Sequence, residues 1–408
     1  MQSRRRFIAA AAGTALLARR AHAAEDIVIG YHGPLTGPAS WVGLGGRDGA
    51  LMAVDEINAA GGINGRRVRM IAYDDAGKAS EAETVARKMI ESDKVFAILG
   101  GGLSNVAIVV GGEAQRGSTP YLNGSAASPK IIDAKSRWVF NGATIDIRDI
   151  AENDIDFIGD YLKVKKVAVM NGADEFSQTL ADNVVRGIKD RFGVETLTQQ
   201  RYNPGDTDFS SQLLAVRRSA PEHVLMFGLY VEAARAVKQA RELGIRTPIK
   251  GDTSMMNSGF LTVAGPAAEG VVVDYVPPYF NGNAAPAMVE FEARYKKRYP
   301  SYPVDRPNYV DVYNYGTMYA LAEGMKRAGT DLTGRSLVLA LETLKDWQAH
   351  STWPGAVDVI HPLTFTDSHA GNRRLSYFRV TKGRFEPIAD FKAPIPSTRF
   401  PANDTLSW

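Results

Sequence analysis

The sequence predicts an α/β protein with mostly parallel sheets covered by helices. Three observations carry this. Short continuous apolar runs such as Val95–Leu99 have strand length and no polar alternation, as suits strands buried on both faces. Amphipathic stretches of helical period separate these runs, so strand and helix alternate along the chain. The chain has 408 residues, 45% apolar and 23% charged, enough for two domains with a core in each.

Taken in order, Asp26–Tyr31 reads as a strand. Two prolines and two glycines keep His32–Pro38 out of regular structure. Ala39–Gly49 continues glycine-rich, and a helix follows with Ala50, Val54 and Ile57 on one face, stopped by Gly61-Gly62. Val68–Tyr73 is a strand, and Ser80 with Glu83 predicts a capping box for the helix ending near Glu91. Further strands are expected at Val95–Leu99, Pro120–Leu122, Trp138–Asn141, Lys166–Met170, Val224–Phe227, Ile249–Gly251 and Gly270–Val276. Helices are expected at Asp149–Leu162, Gln178–Phe192, Ser210–Ser219, Glu232–Leu243, Ala287–Tyr299, Asn308–Ala328 and Leu337–Leu344. Leu375–Val380 and Arg384–Phe391 read as a closing hairpin around Lys382-Gly383.

Residues 1–23 read as an export signal. Arg4-Arg5-Arg6 precede a short apolar segment and a small-residue cleavage site at Ala21-His22-Ala23, a twin-arginine type of leader. The apolar segment is too short to cross a bilayer. Without the five leader arginines, 43 basic residues face 45 acidic ones, so the net charge of +3 becomes −2. The basicity belongs to the leader and gives no reason to expect nucleic acid. The absence of cysteine excludes thiol chemistry and cysteine-based metal sites.

The run Val95–Leu99 ends in Gly100-Gly101-Gly102-Leu103-Ser104-Asn105, a strand, glycine turn and helix start. A helix start presents unpaired N–H groups and partial positive charge, which suit an anion, and Ser104 can add a hydroxyl donor. In an open parallel sheet, ligands sit beyond the carboxyl ends of strands, so the loops after Leu99, Leu122, Met170, Phe227 and Gly251 should converge there. Enzyme motifs are missing: there is no Gly-x-Ser-x-Gly elbow, no His-Glu-x-x-His pair, no phosphate loop, and no glycine at position 105 for a dinucleotide fingerprint. No cofactor or metal is expected. His32 reads as a solvated loop histidine and Asp74-Asp75 as a turn or packing element.

Several motifs in one order then carry a resemblance. Gly33–Pro38, Ala53–Asn64, Tyr73-Asp74-Asp75, Pro204–Phe209, Gln239–Gly244 and Ala267–Val271 resemble the periplasmic leucine/isoleucine/valine-binding proteins, the solute receptors of ABC importers. The likeness runs from about Ile27 to Val276 and weakens beyond. It implies the type I periplasmic binding protein fold, with two Rossmann-like lobes joined by a three-crossing hinge. Lobe I would be 26–143 plus 276–354, lobe II 144–274 plus 355–391, and 392–408 a C-terminal tail. The family's carboxylate seat falls on Ser104, Asn105 and the backbone of Ser125, Ala126 and Ala127. Its aromatic lid falls on Phe176 and Tyr230, and Trp41, Tyr309 and Tyr313 could add aromatic wall. The family places an acid against the ligand's α-ammonium. Thr253 stands at that position here, with Asp252 beside it. Either Asp252 swings in, or the ligand has no amine.

The resemblance implies a monomeric periplasmic receptor that is not an enzyme, with membrane permease subunits as partners. A branched-chain or similar amino acid is the first expectation for its ligand. An aromatic or aliphatic carboxylate, or an amide or urea-type ligand, is the alternative. A ligand sensor using the same fold is a further one.

Overall fold

The structure is a computed structural model and describes residues 25–132, 136–142, 145–275, 286–301, 307–360, 362–365 and 375–392. The leader expected at 1–23 and nearly all of the expected tail lie outside the described residues.

Two sheets organise the chain. The first holds β1 (Ile27–Gly33), β2 (Val68–Asp74), β3 (Ala97–Gly100), β4 (Tyr121–Asn123) and β5 (Val139–Asn141) in the order β2-β1-β3-β4-β5, all parallel. The second has seven strands in the order β12-β11-β10-β9-β8-β6-β7. These are β6 (Lys166–Gly172), β7 (Glu195–Tyr202), β8 (His223–Phe227), β9 (Ile249–Gly251), β10 (Val272–Tyr275), β11 (Ser376–Thr381) and β12 (Arg384–Pro387). The first five of these are parallel, and β11 and β12 form the expected antiparallel hairpin at one edge. The edge strand β7 was not expected. Its sequence, Glu-Thr-Leu-Thr-Gln-Gln-Arg-Tyr, carries few large apolar residues, in keeping with side chains that are mostly only partly buried at the edge of the sheet.

Helices cover both sheets. They are α1 (Ser40–Ala59), α2 (Ala79–Arg87), α3 (Ser104–Arg116), α4 (Ile147–Asp156), α5 (Glu175–Phe192), α6 (Ser210–Ser219), α7 (Tyr230–Glu242), α8 (Ser258–Ala264), α9 (Pro286–Arg298), α10 (Tyr309–Ala328) and α11 (Gly334–Leu341). Among the described residues no helix is long and apolar enough to cross a membrane.

Three expectations change. The glycine-rich stretch 39–49 is helical, not a loop. Its glycines are there for close approach: a Cβ at Gly49 would stand 2.0 Å from the Asp311 carbonyl oxygen of α10. The Ser80–Glu83 capping box is absent, because α2 starts two residues earlier, with Lys78 at the cap position and no side-chain cap. Val357, Leu363 and Phe365, expected in lobe II, pack against elements expected in lobe I instead. The Val357 N–H donates to Tyr315 Oη of α10 at 3.2 Å, Leu363 bridges to Trp347, and the Phe365 ring lies 5.0 Å from that of Phe140 on β5. Leu375 joins the apolar cluster of the second sheet.

His32 is buried in β1, not solvated. Its ring nitrogens meet Asp75 Oδ2 and Tyr121 Oη, each at 3.1 Å. Asp74 accepts from the Leu35, Thr36 and Ala76 N–H groups and the Thr36 hydroxyl, which fastens the loop after β1. Burial pushes its carboxyl up, but these bonds together outweigh it and hold the group below the usual range.

The second sheet hides a charge cluster. Lys250 on β9 has no solvent exposure, and its Nζ bonds Asp274 Oδ1 of β10 at 2.9 Å and the Asp154 carboxylate of α4. Tyr377 Oη on β11 donates to Asp154 Oδ1 at 2.9 Å. Burial raises the acid pKa values here, Asp154 to about 7, while the two acids hold Lys250 protonated against its own burial.

Candidate ligand-binding site

The site grows from the end of β3. Gly100 (φ 140°) and Gly101 (φ 87°) turn the chain where a side chain would not fit: a Cβ at Gly101 would lie 2.3 Å from Asn123 Oδ1. The turn delivers Leu103 in extended conformation as the cap of α3, with no side chain satisfying the first N–H groups. Ser104 is the first residue of α3 and is 4% exposed. The neighbouring loop after β4 is pinned by Asn123. Its Nδ2 donates to the Ala126 carbonyl at 2.6 Å, and its Oδ1 accepts the Ala126 N–H at 3.0 Å. Sequence reasoning missed Asn123; an amide at a strand's carboxyl end, just before a turn, was the available signal.

These residues border a cavity of about 50 Å³, several times what a single water needs. From the first lobe it is lined by Ser104, Asn105, the Ser125–Ala127 loop, Val42, Tyr309 and Tyr313. From the second come Phe176, Leu229, Thr253, Ser254 and Asp174, with Ile145 just before α4 and Ile150 within it. Nine of these fifteen residues have apolar or aromatic side chains, so the walls are largely apolar with a few polar points.

Most of the expected site residues are thus brought together: Ser104, Asn105, Ser125, Ala126, Ala127, Phe176, Thr253, Tyr309 and Tyr313 all line the cavity. The Asn105 amide also donates to the Gly77 carbonyl at 3.1 Å, tying α3 to the loop before α2. Trp41 and Tyr230 stand one layer back. Their rings meet edge to face at 4.7 Å, one from α1 and one from α7, and Tyr309 lies 6.1 Å from Trp41. They join the lobes behind the cavity wall.

Asp252 does not swing in. It caps the short 3-10 turn Thr253–Met255, with Oδ1 accepting the Ser254 N–H at 2.8 Å and Oδ2 the Gly228 N–H at 2.6 Å. It is fully buried, and burial with the charge of Asp274 raises its pKa to about 7. The acid that does line the cavity is Asp174, which the sequence reading did not single out. It caps α5, accepting the Ser177 N–H at 3.0 Å and the Ser177 hydroxyl at 2.6 Å.

The lobes touch on the opposite rim as well. Glu175, in the first turn of α5, accepts from the Ser128 hydroxyl at 3.2 Å and pairs with Lys130 at 3.0 Å. The Ser128 N–H in turn donates to Ser104 Oγ at 3.3 Å. A short chain of bonds thus runs from the cavity wall to the facing lobe.

Two α/β lobes meeting over a small enclosed cavity, with helix starts and hydroxyls turned into it, define a two-lobe ligand-binding protein. The chain belongs to the periplasmic binding protein family, whose model matches residues 26–384. It is 28% identical over 331 residues to an amino acid binding protein of Pseudomonas aeruginosa, covering 80% of this chain and 85% of that one. It is 26% identical to the leucine-specific-binding protein of Salmonella typhimurium, covering 84% and 88%. Among solved structures, the branched-chain amino acid transporter substrate-binding protein LivJ of Streptococcus pneumoniae, in complex with isoleucine, superposes with a TM-score of 0.76 at 21% identity, covering 88% and 98%. A solute-binding protein of an ABC transporter from Rhodopseudomonas palustris, in complex with 3,4-dihydroxybenzoic acid, gives 0.77 at 20% identity, covering 91% and 99%. These structural likenesses establish the type I binding-protein fold.

Proposed function

We propose that this protein is the extracytoplasmic receptor of an ABC importer and closes its two lobes on a small carboxylate. The observation that carries the reading is the start of α3, where Ser104 and uncapped N–H groups line a cavity between the lobes. The carboxylate sits at Ser104, Asn105 and the Ser125–Ala127 backbone. The apolar remainder of the ligand lies against Phe176, Tyr309 and Tyr313, with Trp41 and Tyr230 closing the wall behind. Closure removes water from the carboxylate, which strengthens its bonds to these donors. Closure of this kind needs a hinge between the units built on the two sheets.

Residues 1–23 direct export, and membrane permease subunits receive the ligand. Relatives named for amino acids and a structural neighbour holding a dihydroxybenzoate support two carboxylate classes. A thermal-shift screen of branched-chain amino acids, benzoates and short branched acids tests the reading. A binder at saturation should raise the stability by several kcal/mol, about 2.7 at a hundredfold excess over its Kd. Silence across all three panels would defeat it.

A further inference from the structure

We infer that the ligand is a monocarboxylate without an amine, because the cavity offers two buried hydroxyls and two uncapped helix starts while both nearby acids are held by the protein itself. The inference rests on the small-carboxylate reading above and goes on to name the class.

The donors come from both lobes. Ser104 Oγ already accepts the Ser128 N–H, and among the described residues nothing accepts from its own O–H, so that hydrogen is left for a ligand acceptor. Across the cavity Thr253 is 8% exposed, and its hydroxyl has no partner among the described residues. The starts of α3 and α7 both lack a side-chain cap, at Leu103 and Leu229, and both of these residues line the cavity. No acid lies in the first turn of α3. In α7 the acid of the first turn, Glu232, is turned away to the Gly205 N–H at 2.7 Å. Both helix starts therefore favour an anion at these points of the wall.

An amine would meet the same two helix starts. The two acids able to offset it are committed. Asp174 takes both donors of Ser177, and Asp252 takes the N–H groups of Gly228 and Ser254 on the side away from the cavity. Turning Asp252 to the cavity would leave the buried Gly228 and Ser254 N–H groups without acceptors, and the charge of Asp174 is already offset by the helix start of α5 that it caps. A buried ammonium without a charge partner is costly, whereas a hydrocarbon or aromatic body meets Phe176, Tyr309, Tyr313, Ile145 and Ile150 at no such cost.

The test is isothermal titration of the full mature chain with matched pairs that differ by the amine alone. Suitable pairs are leucine with 4-methylpentanoate, and phenylglycine with phenylacetate, with benzoate added. In any pair that binds, the amine-free acid should bind at least tenfold tighter, and Ser104→Ala should weaken it. An amino acid that binds more tightly than its partner, or within tenfold of it, overturns the inference and leaves the small-carboxylate reading standing. If no member of either pair binds and benzoate is silent too, both fall together.

Discussion

Removing the Ser104 hydroxyl tests the site at its centre. Ser104→Ala deletes one donor to a ligand carboxylate and leaves the backbone N–H groups of α3 in place. A hydrogen bond to a charged group is worth about 1–3 kcal/mol net, so the Kd should rise about 5- to 150-fold. The upper half of that range applies if the lobes shut around the bond, because Ser104 is 4% exposed and little water remains to replace it. The change also takes the acceptor from the Ser128 N–H, a bond of 3.3 Å whose loss costs the fold about 1 kcal/mol. Isothermal titration with the tightest acid from the screen reads the affinity, and the unliganded melting midpoint separates folding from binding. An unchanged Kd with a normal midpoint would remove Ser104 from the site and with it the proposed position of the carboxylate.

Other outcomes follow from the same structure. Glu175→Gln loses the cross-lobe pair with Lys130, a partly exposed contact worth under about 1 kcal/mol, and weakens the Ser128 bond. Affinity should fall by up to about tenfold through faster dissociation, measured by stopped flow; an unaltered off-rate would deny the contact a part in closure. Lys250→Met leaves Asp154 and Asp274 buried without their cation and should cost about 3–5 kcal/mol in urea unfolding. The pKa of Asp252 is raised from 3.8 to about 7, so the folded state holds a proton that the unfolded state releases earlier. Its contribution is complete below about pH 4 and is lost as pH rises through 7, a difference on the order of 4 kcal/mol. Asp252→Asn lowers stability overall, since its amide cannot accept from both Gly228 and Ser254, but should flatten the pH dependence between 4 and 7 relative to the wild type. Parallel profiles for the two proteins would contradict this assignment.

The sequence by itself determined most of the element types, the parallel character of the strands, the closing hairpin and the position of the uncapped helix start after β3. These are written in local patterns. Apolar runs of strand length, helical periodicity, and the glycines after Leu99 each act over a few residues, and Ser104 could be placed from them alone. Tertiary structure decided what depends on residues far apart. The glycines of α1 read as a loop until the backbone of α10, some 260 positions later, takes the space their side chains would fill. Val357 and Phe365 found their places through Tyr315 and Phe140, partners no local pattern names. At the cavity, the adjacent Asp252 and Thr253 were equal candidates in the sequence. The fold turned the acid inward to cap its own loop and left the hydroxyl at the wall, because buried N–H groups of Gly228 and Ser254 needed an acceptor more than the cavity needed a charge.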